Sequence, residues 1–479
     1  MGILYIGTVL EEAGHQVQLL DIGPRDQGWQ AKVRDFNPEI IGLTLVTTQY
    51  QRAKEILFDL RQICPGAKYC AGGPHASALP EVTLKDLNLN FVVKGEGEYT
   101  MKEICERLSR NKSIEGLKGV YYEQDGQIIF HGPSPVIDNM DALPIPKREL
   151  LPDSLWYLIP PGFIRGSFNW GIATIMSGRG CPFNCIFCAS QNIFGRGVRR
   201  RSVQNVMKEI RYLKEKYNIK GLFFLDDTFT VNDRWLTEFC LALKGESYRL
   251  IWGCQARGDT ITEEKLSLMQ DAGCVQVDIG AESGNDVILG NLNKNEKVED
   301  LRRGFAITKK LGIKTFASFI IGNPGEGIKE IEDTKKFALE IKPNMAAFCI
   351  LVPYPGTPLY GLAKKNGWFT KAGEEGFSDS WSNKQSETPI MSINLPPEVL
   401  VKKRMELENI FLWKNHKIIF LAFLKNPKYL WHMTVSLIKN LKATFQILAM
   451  VLKTGKLRLL IEECYQNFSY DLKVKLSKK

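Results

Sequence analysis

The chain has no hydrophobic run long enough to cross a membrane. Its longest late apolar run, residues 418–424, is seven residues, where a helical span needs about 20. It opens Met1-Gly-Ile-Leu-Tyr-Ile6 with neither a basic leader nor a small-residue cleavage site, so no secretory signal is expected. A disulfide framework is also absent. Of 11 cysteines, Cys64, Cys70, Cys105, Cys240, Cys254, Cys274, Cys349 and Cys464 are scattered, as buried thiols in a reducing, cytoplasmic setting would be. Net charge is missing from most of the length: residues 1–400 carry 47 Lys+Arg against 48 Asp+Glu. The overall +10 resides in residues 401–479, with 16 Lys+Arg against 5 Asp+Glu. These absences argue against a secreted disulfide scaffold and a membrane-spanning protein. At 479 residues and 44% hydrophobic, the chain has room for two or three domains with ordinary cores.

What is present is concentrated in Ser177-Gly-Arg-Gly-Cys-Pro-Phe-Asn-Cys-Ile-Phe-Cys-Ala189. Cys181, Cys185 and Cys188 stand in a Cys-x3-Cys-x2-Cys array. Three thiolates in one short loop can hold three corners of a cubic iron–sulfur cluster. No fourth cysteine follows nearby, so the fourth iron stays open to another ligand. The competing readings are a structural zinc loop or unligated buried thiols. Structural zinc normally takes four protein ligands, and no fourth Cys or His lies within reach in sequence.

Before this loop, helices and short apolar strands alternate. Residues 2–14 read as a helix with a glycine end, and 15–21 as a strand. Residues 25–36 read as a helix and 37–46 as a turn into a buried strand. A helix over 51–63, a strand over 67–73, a strand over 91–96 and a helix over 99–109 follow. This alternation predicts a parallel sheet with helices on both faces, binding ligands at the C-terminal strand ends. Thr44, Thr47 and Thr48, then Gly72-Gly-Pro-His-Ala76, then Gly95-Glu-Gly-Glu98 form the loops there. Two adjacent glycines allow a large ligand to approach the backbone, although simple turns have the same composition. Residues 119–130 read as a hairpin turning at Asp125-Gly126, and 131–161 as a proline-rich connection in which 138–146 runs extended over the surface.

The second half repeats strand and helix six times, starting with the strand 172–176 that enters the cysteine loop. Polar clusters sit at the strand ends: Asp226-Asp227, Arg257, Glu282-Ser283, Gly322-Asn-Pro-Gly-Glu326 and Pro353-Tyr-Pro-Gly-Thr357. Any one of these could be a helix cap or surface turn. Together they predict a partial (β/α)6 barrel with reactive groups at its C-terminal strand ends.

The cysteine loop, with aromatic Phe187 before its last cysteine, resembles the signature of radical S-adenosylmethionine (radical SAM) enzymes. Leu10-Glu-Glu-Ala-Gly-His15, Gly72-Gly-Pro-His-Ala76 and Val93-Lys-Gly-Glu-Gly-Glu98 resemble the Rossmann-like (flavodoxin-like) cobalamin-binding domain that precedes the barrel in one large subfamily, which includes class B radical SAM methyltransferases. The resemblance implies a 4Fe–4S cluster on Cys181, Cys185 and Cys188, whose open iron is chelated by the methionine part of SAM. It implies SAM contacts at Phe187, Asp226, Asp227, Arg257, Glu282, Ser283, Gly322 and Glu326. It implies cobalamin contacts at Thr44, Thr47, Gly72, Gly73, His75 and Glu96, with a loop-structuring role for His75 favoured over cobalt ligation. Two departures stand out. The first helix starts where relatives carry another strand before it, so the sheet is expected to lack its first strand. No Asp-x-His-x-x-Gly supplies a lower axial histidine. Glu326 also comes one residue later than the commonest general pattern.

The expected domains are a cobalamin-binding domain over 1–116, a hairpin and linker over 117–166, a radical SAM core over 167–393 and a basic amphipathic tail over 394–479. The tail interleaves apolar residues with lysines and breaks at Pro427. It suits an anionic membrane surface or a solvated face packed on the barrel; nucleic acid is disfavoured. The implied activity is reductive SAM cleavage with cobalamin-borne methylation of an unactivated carbon, the substrate a small molecule, lipid or isoprenoid among the options. A flavodoxin or ferredoxin would donate electrons. The alternatives are a cobalamin-dependent radical cyclase or oxidoreductase, and a non-catalytic cobalamin or SAM sensor.

Overall fold

The computed structural model describes residues 1–22, 28–151, 172–378, 381 and 388–425, the last 14 as backbone. The tail beyond Lys425, the break at Pro427 and the prolines at 152, 160 and 161 lie outside the described residues. Two sheets organise the rest. The first holds β1 (Ile40–Thr44), β2 (Lys68–Gly72), β3 (Phe91–Val93), β4 (Val120–Gln124) and β5 (Gln127–Phe130), in that order. β1, β2 and β3 are parallel, and β4 and β5 are antiparallel. The 120–130 hairpin, expected in the linker, therefore continues this sheet. It does so because Val120, Tyr121 and Tyr122 bury against β3, whose other edge is already paired to β2.

Residues 15–21 correct the strand expectation. They carry strand-like alternation but pair with no strand among the described residues, and they line a cavity beside β1 instead. A strand exists only through a hydrogen-bonded neighbour, and β1 pairs only with β2 among the described residues. Gly72-Gly-Pro-His-Ala76 is likewise not a loop. Helix Gly73–Ala78 starts there, with Pro74 in its first turn, where a missing N–H costs nothing.

The second sheet contains β6 (Ile172–Ile175), β9 (Gly221–Phe224), β10 (Ile251–Ala256), β11 (Cys274–Glu282), β12 (Lys314–Ile321) and β13 (Met345–Ile350). All are parallel and adjacent in chain order, and among the described residues β6 and β13 do not pair, so the barrel is open. Between β6 and β9 a two-residue ribbon, β7 (Gly178–Arg179) with β8 (Arg199–Arg200), closes the neck of the cysteine loop. Side-chain caps start several of the barrel's helices. Ser202, Asn232, Thr262 and Thr357 each accept from the N–H three residues on. Helix Val203–Tyr217 shows the packing rule: Val206, Met207, Ile210 and Leu213 recur at helical spacing and are fully or nearly fully buried on the sheet. Helix Pro397–Lys425 lays Leu400, Leu407 and Phe411 against the barrel core.

The connection is not surface-borne. Ile137, Met140 and Leu143 bury with Tyr5 and Val9 of helix Gly2–Glu12. Arg148, also buried, bonds the Thr174 carbonyl and Glu209 at 2.8 and 2.9 Å. The two sheets thus share contacts through a packed connection.

Candidate active site

The cysteine loop leaves the barrel between the β7–β8 ribbon and is pinned from three directions. Ile186 donates to the Leu292 carbonyl and accepts from the Leu359 N–H, both at 3.0 Å. Asn293 bonds the Asn184 carbonyl at 2.9 Å and Asn192 the Pro355 carbonyl at 3.0 Å. Phe187 packs with Leu351 and Leu359, so it anchors the loop to the barrel. Gly180, just before Cys181, has φ +89°, and a side chain there would collide with the Gly197 carbonyl oxygen. Only glycine turns the chain at that point.

Cys181, Cys185 and Cys188 are half-buried in this loop. Burial, with the nearby Asp227, Cys185 and Cys181, pushes the Cys188 thiol up to about 11, and a backbone hydrogen bond at Ser190 opposes the rise. Burial also raises Cys185, while the Lys294 and Arg257 charges oppose it. Among the described residues no three His, Cys, Asp or Glu side chains converge on one point, as a mononuclear zinc site requires. A cubane takes its thiolates on separate irons, which fits three thiols spread around one loop, near enough to affect one another's ionisation.

The acidic pair after β9 splits by environment. Asp226 is buried and used up: it accepts from the Ser177 N–H at 2.8 Å, the Ser177 hydroxyl at 2.5 Å and Arg200 at 3.1 Å. Asp227 faces the cysteine loop, is exposed, and accepts from the Ser190 hydroxyl. Arg257 stacks its guanidinium 3.7 Å from the centroid of Phe183, inside the loop, and forks onto Asp259 at 3.0 and 2.7 Å. Glu282 ends β11 with φ +62°, an uncommon conformation for a side-chain-bearing residue. Its carboxyl is raised by burial and opposed by Lys294, itself buried and paired to Glu296 at 3.1 Å. Lys294 also donates to the Gly280 carbonyl.

Ser283 turns away from the strand-end face. Its hydroxyl lies 3.1 Å from that of Thr334 on helix Ile328–Ile341. Glu326 folds back on its own turn, accepting at Oε2 from the Gly322 N–H (2.6 Å), the Asn323 N–H (3.0 Å) and Asn323 Nδ2 (3.1 Å). For Asp226, Ser283 and Glu326, then, the structure shows loop-building contacts.

In the first sheet, Thr44 and Gly72 face a cavity of about 2700 Å³ that also touches Gly95, Met176 and Phe194. That is well above the roughly 300–1,000 Å³ of ordinary small-molecule pockets. Gly73 has φ +89°, and an added side chain would lie 2.8 Å from the Thr44 hydroxyl. Thr47 is not at the cavity wall: its hydroxyl meets His75 Nδ1 at 3.1 Å. His75 is buried between the Tyr50 and Phe377 rings, with centroids 4.4 and 4.6 Å away. Burial pushes it down to about 4. Glu96 is paired to Arg179 and Arg199 at 2.6 and 2.7 Å.

The run Arg199-Arg200-Arg201 was not recognised from sequence as part of the site. Its side chains go three ways: Arg199 to Glu96, Arg200 to Asp226, and Arg201 to Glu209. A basic triplet in a short strand following the cysteines was the available signal.

An open parallel barrel with a pinned three-cysteine loop at its first strand end defines a radical SAM enzyme. The Radical SAM superfamily model matches residues 175–338, and the B12 binding domain model matches residues 1–105. The uncharacterized methyltransferase PH0819 of Pyrococcus horikoshii is 34% identical over 372 residues, covering 76% of this chain and 78% of that one. The anaerobic magnesium-protoporphyrin IX monomethyl ester cyclase of Rubrivivax gelatinosus is 28% identical, covering 69% and 59%. Among solved structures, the radical SAM methyltransferase TsrM of Kitasatospora setae shares the fold at TM-score 0.69 and 18% identity, covering 85% of this chain and 87% of that one. The chain belongs to the cobalamin-dependent radical SAM methyltransferase family, and its cofactors are a 4Fe–4S cluster, SAM and cobalamin.

Proposed function

We propose that this enzyme methylates an unactivated carbon of a small molecule in the space between the cysteine loop and the C-terminal strand ends of the first sheet. The observation that carries this reading is one cavity wall shared by Thr44, Gly72 and Gly95 of the sheet and Met176 and Phe194 flanking the cysteine loop. When bound, the cofactors supply a hydrogen-abstracting 5′-deoxyadenosyl group and a transferable methyl, driven by electrons from an external donor such as flavodoxin or ferredoxin.

The protein's own residues position and enclose. Cys181, Cys185 and Cys188 would hold the cluster. Asp227, Arg257 and Glu282 face the loop and would orient SAM, the cationic Arg257 toward a carboxylate and the acidic pair toward amine and hydroxyl groups. Thr44 and the small Gly72 would border cobalamin. In the net reaction the substrate C–H bond breaks and its hydrogen ends on 5′-deoxyadenosine, while the methyl–sulfur bond of a second SAM breaks to supply the new C–CH3 bond. Two electrons from the external donor balance the loss of two sulfonium charges, and methionine and S-adenosylhomocysteine leave.

A second reading is radical cyclisation, which the similarity to the Rubrivivax cyclase favours. Product mass separates them: methylation adds one CH2, cyclisation removes hydrogen. Anaerobic reconstitution tests the common core. The wild type is expected to take up about four irons per chain and to release 5′-deoxyadenosine from SAM. Cys185→Ala is expected to lose both. SAM cleavage that survives this substitution would overturn the cluster assignment.

A further inference from the structure

Glu96 and Glu98 follow β3, at the ligand end of the first sheet. Arg179 lies in the ribbon, two residues before the first cluster cysteine. The Arg179 guanidinium forks between the two acids, Nη1 to Glu96 at 2.6 Å and Nη2 to Glu98 at 2.5 Å. Arg199, its partner across the ribbon, meets the other Glu96 oxygen at 2.7 Å and the Ile137 carbonyl at 2.8 Å. The Ile137 N–H returns a bond to Glu96 at 3.1 Å. Arg179 lies near the rings of Tyr5, from helix Gly2–Glu12, and Phe194, from the cysteine loop, at 5.2 and 5.4 Å. Its side chain and those of both acids are at most 4% exposed.

Arg199 is 12% exposed. Two arginines and two carboxylates, buried to this degree, cancel in charge but gain little net stability, because desolvation offsets attraction. What such a group does well is select one geometry. A planar fork satisfied by two carboxylates tolerates neither a slide nor a rotation of one sheet against the other. The two surfaces it joins are the ones the proposed function assigns to cobalamin and to the cluster.

We propose that Arg179, Glu96, Glu98 and Arg199 form a positioning clamp that sets the separation between the cobalamin site and the cluster, an inference that rests on the function proposed above. These residues touch no reacting atom; they act through the ribbon that carries Cys181 and the turn that follows β3.

The test compares full-length wild type, Glu98→Gln and Arg179→Lys, each loaded anaerobically with cluster and cob(II)alamin. Glu98→Gln keeps the shape and removes one charge. Arg179→Lys keeps the charge and removes the fork. The readout is the cobalt-to-cluster distance distribution from pulsed dipolar electron paramagnetic resonance. A second is amide exchange over residues 94–98 and 178–181. A broad or shifted distribution in both variants, with iron content and cobalamin binding retained, is expected, together with exchange faster by about tenfold or more. A distribution identical to wild type alongside a lower Tm would overturn the clamp and leave only a stabilising contact. Loss of iron uptake in both variants would overturn it in favour of a role in cluster assembly. Wild type that binds no cobalamin would instead defeat the parent reading.

Discussion

At the scale of single residues, the two neighbouring aspartates carry different work. Asp226 neutralises Arg200 in a buried pair and ties down Ser177. Asp226→Ala strands that arginine and is expected to cost about 3–5 kcal/mol, read as a lower Tm with poorer iron uptake. Asp227→Ala is expected to leave Tm near wild type and to weaken SAM binding, measured by equilibrium dialysis. Equal effects on both quantities would contradict the division. Glu326 makes a pH prediction. Burial pushes it from 4.5 up to about 7 despite three N–H donors on Oε2, and Oε1 is buried without a partner. A carboxyl raised in the fold binds its proton more tightly there than in the unfolded chain. Its contribution is therefore complete below pH 4.5 and lost as pH rises through 7. The loss amounts to up to about 3 kcal/mol. Glu326→Gln is expected to flatten the Tm–pH curve across that window. His75 has the opposite sign. Its folded value lies near 4 against an ordinary 6.5, so its contribution is present above 6.5 and lost as pH falls through 4. His75→Ala is expected to remove that acid-side loss, to cost roughly 1–3 kcal/mol, and to leave the visible spectrum of bound cobalamin unchanged.

At the scale of elements, periodicity and capping made the barrel legible. Helix Ile328–Ile341 and strand Lys314–Ile321 fall on the residues expected, because the strand alternates buried and half-buried positions and the helix begins at Gly327, whose N–H is held by Glu330. The outcome differed where an element depends on a partner. Residues 15–21 have the composition of a strand but no ladder beside them among the described residues, and the 120–130 hairpin joined a sheet whose free edge no local pattern reveals. The same holds at the site. Cys181, Cys185 and Cys188 were legible because their spacing is local. Arg179 and Arg199 were not, because their partners lie more than 80 residues away in sequence. Glu96, expected from resemblance to meet cobalamin, lines the cavity with Thr44 and Gly72 while both its oxygens are engaged by arginines.

At the scale of the whole molecule, two sheets that could have been independent domains are tied by a buried connection and by side chains crossing between them. Tyr5 illustrates this: it belongs to the first helix, yet burial and the Glu209 charge push its hydroxyl up to about 12, with Arg201, Arg179 and Arg148 opposing. Such crossing contacts make unfolding of one half costly to the other, so a single cooperative melt is the natural behaviour of the chain. The pinned neck of the cysteine loop has a separate consequence. With its ends zipped by the β7–β8 ribbon and its middle bonded to Leu292, Leu359 and Pro355, the loop loses its conformational entropy during folding. None of these bonds involves a cluster ligand's sulfur, in contrast to a zinc finger that is held together by its ion. Stripping the metal with a chelator is therefore expected to leave the far-ultraviolet circular dichroism of the barrel unchanged.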